Sequence, residues 1–330
     1  MRNIKSIASL IMLCFTLSIF GQSVNIRVHD PVMIKQDGIY YLFCTGRGIS
    51  VFSSEDMLNW NRMDPVFDEP PQWAMDAIPG FRGHIWAPDI SYYNGKYYLY
   101  YSVSAFGKNT SCIGLATNTT LDPSGPDFKW TDHGKVIQSV PGRDMWNAID
   151  PNLVFDDEDT GWLVFGSFWK GIKLFRLNEE LNAPLEPQIW YTVSARPRDY
   201  FTEEQNAGEG AVEAPFIFKK NNYYYLFVSF DFCCRGLESN YKVMAGRSEK
   251  ITGPYLDKEG RNMVFGGGSL VLGGNKDWPG VGHNAVYTID GTDYLICHGY
   301  DASDNGISKL IILKMDWDEN GWPVIPEWHE

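Results

Sequence analysis

The chain has 330 residues, with 41 acidic against 28 basic side chains and a formal net charge of −13. A surface this acidic repels phosphate backbones and anionic lipid, so nucleic acid and membrane surfaces are excluded as partners and neutral ligands remain. Aromatics make up 15% of residues, and no low-complexity or Pro/Ser-rich tract divides the sequence, so the length is read as one domain.

Met1–Phe20 carries Arg2 and Lys5, then an apolar run, then Gly21-Gln22-Ser23. This is a signal-peptide pattern, with an uncleaved anchor as the alternative. Residues 1–22 are assigned to the leader and 23–330 to a single domain, secreted or periplasmic, with no membrane span after processing and expected to be monomeric. Cys44, Cys112, Cys233, Cys234 and Cys297 are an odd number without regular spacing, which is neither a disulfide framework nor a structural zinc site. Cys44 and Cys297 read as core thiols, and the adjacent Cys233 and Cys234 either join to each other or stay free.

One hairpin then recurs along the chain. Val28–Gly46, Trp86–Val103, Asn147–Ser167, Val212–Phe230 and Gly282–Gly299 each place a short apolar strand, an Asp/Asn/Gly turn and a second strand rich in aromatics. Aligned at Pro31, Pro88, Pro151, Pro215 and Ala285, they repeat at steps of roughly 60 residues, a solenoid or propeller period. The fold expected is all-β, a five-bladed β-propeller, preferred over a two-sheet sandwich because five matched strand starts are hard to obtain otherwise. Met315–Ile325 is expected to form a hairpin that closes the ring. Asn109 and Asn118 match the N-glycosylation acceptor pattern.

In a propeller the inner strand of every blade starts on the same face, so the residues at the five starts converge. Blade one brings His29 and Asp30, blade two Trp86, blade three Asn147 and Asp150, blade four Glu213, and blade five His283. Acidic groups are rarely gathered without a chemical reason. The proline after Asp30 extends the backbone there, and His29 either orients Asp30 or touches substrate. Trp86 offers an aromatic face for a sugar ring, with Phe106 in the following loop as a second platform. Asp89 follows its proline and should point elsewhere. Glu213 lies among Ala211, Val212 and Ala214, which favours a neutral carboxyl, and Glu209 is read as exposed or a secondary contact. Arg235 reaches either a carboxylate or a sugar hydroxyl. His283 either ligates a metal in the channel or hydrogen-bonds the carboxylates.

One protonated and one ionised carboxyl flanking a bond are the working parts of glycoside hydrolysis. Asp30 is assigned as base, Glu213 as acid and Asp150 as the carboxylate that raises the pKa of the acid. Blades one and four face each other across the channel, which favours the wider separation that admits a water and predicts inversion.

His29-Asp30-Pro31, Trp86–Asp89, Asn147–Asn152, Glu213–Pro215 and Gly282–Asn284 together resemble glycoside hydrolase family 43 over almost the whole mature chain. The resemblance implies a five-bladed propeller of inverting enzymes, with Asp30 as base, Asp150 as modulator and Glu213 as acid. Asn147–Asn152, Cys233–Gly236 and Gly282–Asn284 look most like the arabinanases that cut α-1,5-linked L-arabinofuranosyl chains. This implies arabinan or arabino-oligosaccharide as substrate, with endo action expected, and calcium held by His283 largely through waters. Trp86 and Phe106 match positions that line sugar subsites, while Met145-Trp146 and Val281 depart from the usual residues. A β-xylosidase or α-L-arabinofuranosidase on the same scaffold and a silent sugar-binding propeller are the alternatives.

Overall fold

The computed structural model describes residues 22–326 and 328, so all of the expected leader except Gln22, which already belongs to a strand, lies outside the described residues. Five antiparallel sheets follow one another around a ring. Blade one contains Val32–Gln36, Ile39–Cys44, Ser50–Ser54 and Asn61–Met63, and blade two His84–Tyr93, Lys96–Ser104, Ser111–Asn118 and Thr131–Ser139. Blade three contains Asn152–Phe155, Gly161–Phe165, Ile172–Arg176 and Trp190–Ser194, and blade four Val212–Lys220, Tyr223–Phe230, Lys242–Ser248 and Ser269–Leu272. Blade five has Val281–Ile289, Thr292–Asp301 and Ile307–Trp317, completed by Gln22–Arg27 from the other end of the chain.

That last pairing corrects an expectation. The C-terminal hairpin exists, since Pro323–Val324 pairs with Asp316 and Trp317, but it does not tie the ring. Gln22–Arg27 does so, lying antiparallel to Ile307–Trp317 with Gln22 opposite Ile312. The leader pattern drew attention away from the strand directly behind it.

The inner hairpins turn where the sequence marks them. Asp37-Gly38, Asn94-Gly95 and Asp290-Gly291 hold both residues at positive φ, the geometry whose twist matches the flanking strands and which Asn, Asp and Gly tolerate best. Large side chains fill the spaces between blades: Phe43, Tyr100, Tyr101, Phe165, Phe175, Tyr225 and Phe227 are almost completely buried. Each such ring contributes about 1.5–3 kcal/mol by leaving water. Cys44, Cys112 and Cys297 are buried free thiols. Asn109 and Asn118 are buried too, Asn109 donating to the carbonyls of Asp144 and Trp146, so neither presents a glycan acceptor.

The inner strands share one irregularity. In blade two Trp86 pairs with Ser102 and Asp89 with Tyr100; in blade four Glu213 pairs with Ser229 and Phe216 with Phe227; in blade five Gly282 pairs with His298 and Ala285 with Ile296. Two inner residues therefore oppose one, which is a β-bulge. Its first residue is left-handed: Ala87, Ala214 and His283 have φ of +42°, +52° and +53°, and Asp30 and Asp150, just ahead of their ladders, have +56° and +57°, so Asp30 is not extended as its following proline led one to expect. Outside glycine this conformation costs roughly 1–2 kcal/mol per residue. The residue in phase with the four prolines is thus Asn284, not Ala285, and His283 shares the position of Asp30 and Asp150. The proline used as the alignment mark is missing from blade five, so the sequence alignment slipped by one.

The cost is offset by a latch repeated around the ring. The amide of each left-handed residue donates to a side chain of a neighbouring blade: Ala87 to Thr45 Oγ1 at 2.8 Å, Asp150 to Ser102 Oγ at 3.0 Å, His283 to Ser229 Oγ at 2.9 Å and Asp30 to His298 Nδ1 at 3.2 Å. The corresponding position in blade three is Gly166, which has no side chain to offer, and the Ala214 amide donates instead to Asp150 Oδ2 at 3.1 Å. Removing one acceptor strands a buried donor, which costs about 1–3 kcal/mol. Ser102→Ala should therefore lower the melting temperature by several degrees in calorimetry, while a serine elsewhere on the surface should be replaceable without loss.

Candidate active site

The five latched starts open onto a cleft of ≈ 850 Å³. All nine residues singled out from the sequence line it: His29, Asp30, Trp86, Phe106, Asn147, Asp150, Glu213, Arg235 and His283. Asp89 lies elsewhere, buried, accepting from Asn152 Nδ2 at 3.0 Å and the Leu153 amide at 2.9 Å, and Glu209 is exposed.

Asp30 is the most heavily partnered carboxylate. Its Oδ1 lies 2.8 Å from His29 Nδ1 and 3.0 Å from His283 Nδ1, and its Oδ2 accepts from Thr45 Oγ1 at 2.5 Å. Burial pushes its pKa up, but His283 and His29 outweigh burial and hold it well below the usual carboxylate range. The group is ionised. Oδ1 is satisfied by two imidazoles, and Oδ2, with one hydroxyl donor, retains capacity for a further proton.

Glu213 presents the opposite case. Burial raises its pKa, and the hydrogen bonds from Ser167 Oγ to Oε2 and from Tyr241 Oη to Oε1, both 2.8 Å, only partly offset this. Asp150 is pushed up to about 8 by burial, against His283 and reinforced by Glu213 and Asp30. Glu213 therefore owes its raised pKa mainly to its own burial. An ionised Asp150 is not its principal cause, because burial raises the pKa of Asp150 as well. His283 moves the other way: burial lowers it, but Asp30, Asp150 and Glu213 carry it up to about 9.

The walls are aromatic and polar. Trp86 is half-buried and Phe106 is 78% exposed, leaving both faces available for stacking. Asn147 is anchored by Ser111 Oγ at 2.6 Å, and the Arg235 guanidinium lies 3.9 Å from the Phe232 ring centre. Cys233 and Cys234 are joined to each other and form part of the wall.

Sequence reasoning passed over the supporting residues. Thr45, His298 and Tyr300 hold the Asp30 side, and Ser167 and Tyr241 hold Glu213. Thr45 and His298 sit at matching places at or just past the ends of the second strands, with Ser102, Gly166 and Ser229. The signal for them is the shared register of the second-strand ends, parallel to that of the first-strand starts.

Among the described residues, two groups of three donors come within ligand distance: His29 with Cys233 and Cys234, and His29 with Asp30 and His298. Neither contains His283, and both are poor in the oxygen that a hard cation requires. His283 Nδ1 is taken by Asp30. The next residue, Asn284, is buried with both amide atoms unpartnered.

An ionised aspartate, a glutamate whose pKa burial raises and a second high-pKa aspartate in one sugar-sized, aromatic-walled cleft define a glycoside hydrolase. The profile of Glycosyl hydrolases family 43 matches residues 23–323, and the chain belongs to that family. It is 51% identical over 321 residues to an extracellular exo-α-(1→5)-L-arabinofuranosidase of Cellvibrio japonicus, covering 97% of this chain and 92% of that protein. It is 46% identical to an extracellular endo-α-(1→5)-L-arabinanase of Bacillus subtilis, covering 92% and 89%. The solved α-L-arabinanase of Cellvibrio cellulosa in complex with arabinohexaose superposes with a TM-score of 0.90 at 52% identity, over 92% of this chain and 96% of that one.

The site leaves a mark on stability. The folded-state pKa of Asp150 is raised, so its contribution is fully present below the unfolded value near 4 and is lost as pH climbs through about 8. Asp150→Asn removes that loss. The melting temperature of the variant relative to the parent should accordingly rise between pH 4 and pH 8, as read by calorimetry across the range.

Proposed function

We propose that the protein is an inverting hydrolase of α-1,5-linked L-arabinofuranosyl chains, and that it is secreted, as the two relatives named extracellular are. The observation that carries the reading is the opposed state of two carboxyls in one cleft: Asp30 held ionised by His29 and His283, Glu213 held protonated by burial. Asp30 takes the proton of a water through the remaining capacity of Oδ2, and Glu213 delivers its proton to the departing sugar oxygen. The water attacks from the face opposite the leaving group, so an α-linkage is released as the β-anomer.

Asp150 acts on Glu213 in two ways. Each is a like-charge neighbour of the other, so loss of one proton holds the second more firmly. Asp150 Oδ2 also takes the amide of Ala214, the residue after Glu213, and so fixes the backbone that carries the acid. Trp86 and Phe106 stack on sugar rings, Asn147 and Arg235 meet hydroxyls, and His29 orients Asp30 rather than offering a free ring, because both its nitrogens are engaged.

Calcium fits this cleft only in hydrated form. Among the described residues no three carboxylates come within ligand distance of one another and His283 Nε2 meets no hydrogen-bond partner, while the carboxamide of Asn284, likewise without a partner there, lies one residue on. His283 would hold the ion through waters, and the ion would supply positive charge beside the carboxylates. Calorimetric titration of chelated protein with Ca²⁺ should show one site, weakened in His283→Ala, and chelation should lower the melting temperature.

The related enzymes divide between exo and endo action, so the expected endo mode is read from products. Mature protein incubated with debranched arabinan should release arabino-oligosaccharides, a ladder for endo action and one dominant short product for exo, with the β-anomer first in NMR. Glu213→Ala should lose at least about a thousandfold in kcat; activity retained in that variant overturns the assignment. Tyr241→Phe removes a hydrogen bond that favours the charged form of Glu213. The acid then keeps its proton longer, and the alkaline limb of kcat/KM should move up by about one pH unit.

A further inference from the structure

The loop after the second strand of blade four is tied to the base by a short chain of contacts. Cys233 and Cys234 are bonded to each other, and Cys234 has φ +67°. Its amide donates to Tyr300 Oη at 2.7 Å. Tyr300 Oη lies 3.0 Å from His29 Nε2 and 3.2 Å from His298 Nε2, and His29 Nδ1 lies 2.8 Å from Asp30 Oδ1.

With both imidazoles neutral, the proton order along this chain is the one that lets His29 Nδ1 donate to the ionised Asp30; Ser239, whose side chain also bonds Tyr300, competes for the same hydroxyl. The Asp30 amide donates to His298 Nδ1, so that nitrogen is bare and a neutral His298 carries its proton on Nε2 and gives it to Tyr300 Oη. The hydroxyl then accepts twice, from His298 and from the Cys234 amide. Its own proton goes to His29 Nε2, which also has Cys234 Sγ at 3.8 Å. A His29 that accepts at Nε2 bears its proton on Nδ1, where it is donated to Asp30 Oδ1. Without the Cys234 amide, Tyr300 Oη regains an acceptor site, and His29 is free to place its proton on Nε2 and withdraw its donor from Asp30.

We infer that the Cys233–Cys234 disulfide is a positioning element for the base: it holds the Cys234 amide on Tyr300 and thereby locks His29 in the Nδ1–H form that Asp30 needs. Joining adjacent sulfurs closes a small ring through the shared peptide and restricts the backbone at Cys234. The rest of the loop is held separately, by Phe232 N to Asn240 Oδ1 at 2.9 Å, Asn240 N to Phe232 O at 3.1 Å and Arg235 N to Ser239 Oγ at 3.1 Å. Cutting the bond therefore frees the tip and leaves the loop in place. The kinetic consequence rests on Asp30 being the base; the tautomer does not.

The test uses the mature full-length protein labelled with ¹⁵N-histidine. Dithiothreitol passes two electrons and two protons to the sulfurs, giving two thiols and its own cyclic disulfide. Among the described residues no other disulfide is present to be reduced. In the oxidised protein the His29 resonances should report the Nδ1–H tautomer. After reduction, and in the paired Cys233→Ser, Cys234→Ser variant, they should shift toward Nε2–H. Turnover of arabinan should fall about fivefold in kcat with KM changed less than twofold, recovering on reoxidation of the parent. Tyr300→Phe should release the same tautomer with the disulfide intact. A His29 that stays Nδ1–H after the bond is cut overturns the inference, as does a rise in KM at constant kcat, which would make the disulfide only a wall of the sugar site. A tautomer that switches in a protein that cuts no arabinan supports the relay and counts against the proposed reaction instead.

Discussion

At each blade the backbone enters the inner strand through a left-handed residue whose amide is handed to a side chain of a neighbouring blade. The conformation is uphill for any residue with a Cβ, and a buried amide without an acceptor is uphill again. Each entrance is therefore stable only while its neighbour is correctly placed. The constraint makes blade spacing and site geometry one problem. A bulge also re-aims the side chain it carries, and here the carrying positions are Asp30, Asp150 and His283, with Glu213 and Trp86 one residue before theirs.

Gly166 shows how far chemistry has been written into this latch. Thr45, Ser102, Ser229 and His298 occupy the matching place in the other blades and accept an amide. The glycine leaves the Ala214 amide to Asp150. A carboxyl that would otherwise only tune a neighbour's charge thus becomes a structural acceptor for the strand that bears Glu213. Thr45 serves twice in the same manner, accepting from Ala87 and donating to Asp30. Structural satisfaction and electrostatic tuning use the same atoms, so a substitution at these places disturbs both.

The inner hairpins were legible because proline and the Asn/Asp-Gly turns punctuate them, and all nine residues marked at or near the blade starts do line the cleft. What stayed hidden has physical reasons. Blade five lacks the proline that marks the others, so its phase was read one residue late and His283 was not seen to match Asp30 and Asp150. The ring-closing strand Gln22–Arg27 is short and directly follows an apolar leader. His298, Tyr241 and Tyr300 lie in second strands or beyond, where an aromatic or a histidine reads as core. Their role depends on which atom faces which carboxylate, a relation between distant segments that local sequence does not carry. The raised pKa of Glu213 is expected both from its apolar neighbours and from Asp150, and of the two burial is the larger effect.

The division of labour between the acids follows from ring closure. Blades three and four are neighbours in sequence, and Asp150 and Glu213 meet there among apolar residues, hydroxyls and each other, so burial dominates and both pKa values rise. Blades one and five are joined where Gln22–Arg27 lies beside Ile307–Trp317 and where Met33, Leu42 and Phe52 share a core with Ile296 and Leu310. That junction sets His283 and His298 of blade five against Asp30 and stacks His29 on His298 with ring centres 3.9 Å apart. Asp30 is as buried as its partners, but it alone receives two imidazole donors on one oxygen, and burial loses. Open the ring at that seam and the three carboxyls would face similar surroundings. The separation of a base from an acid in this cleft is thus a consequence of where the chain ends meet.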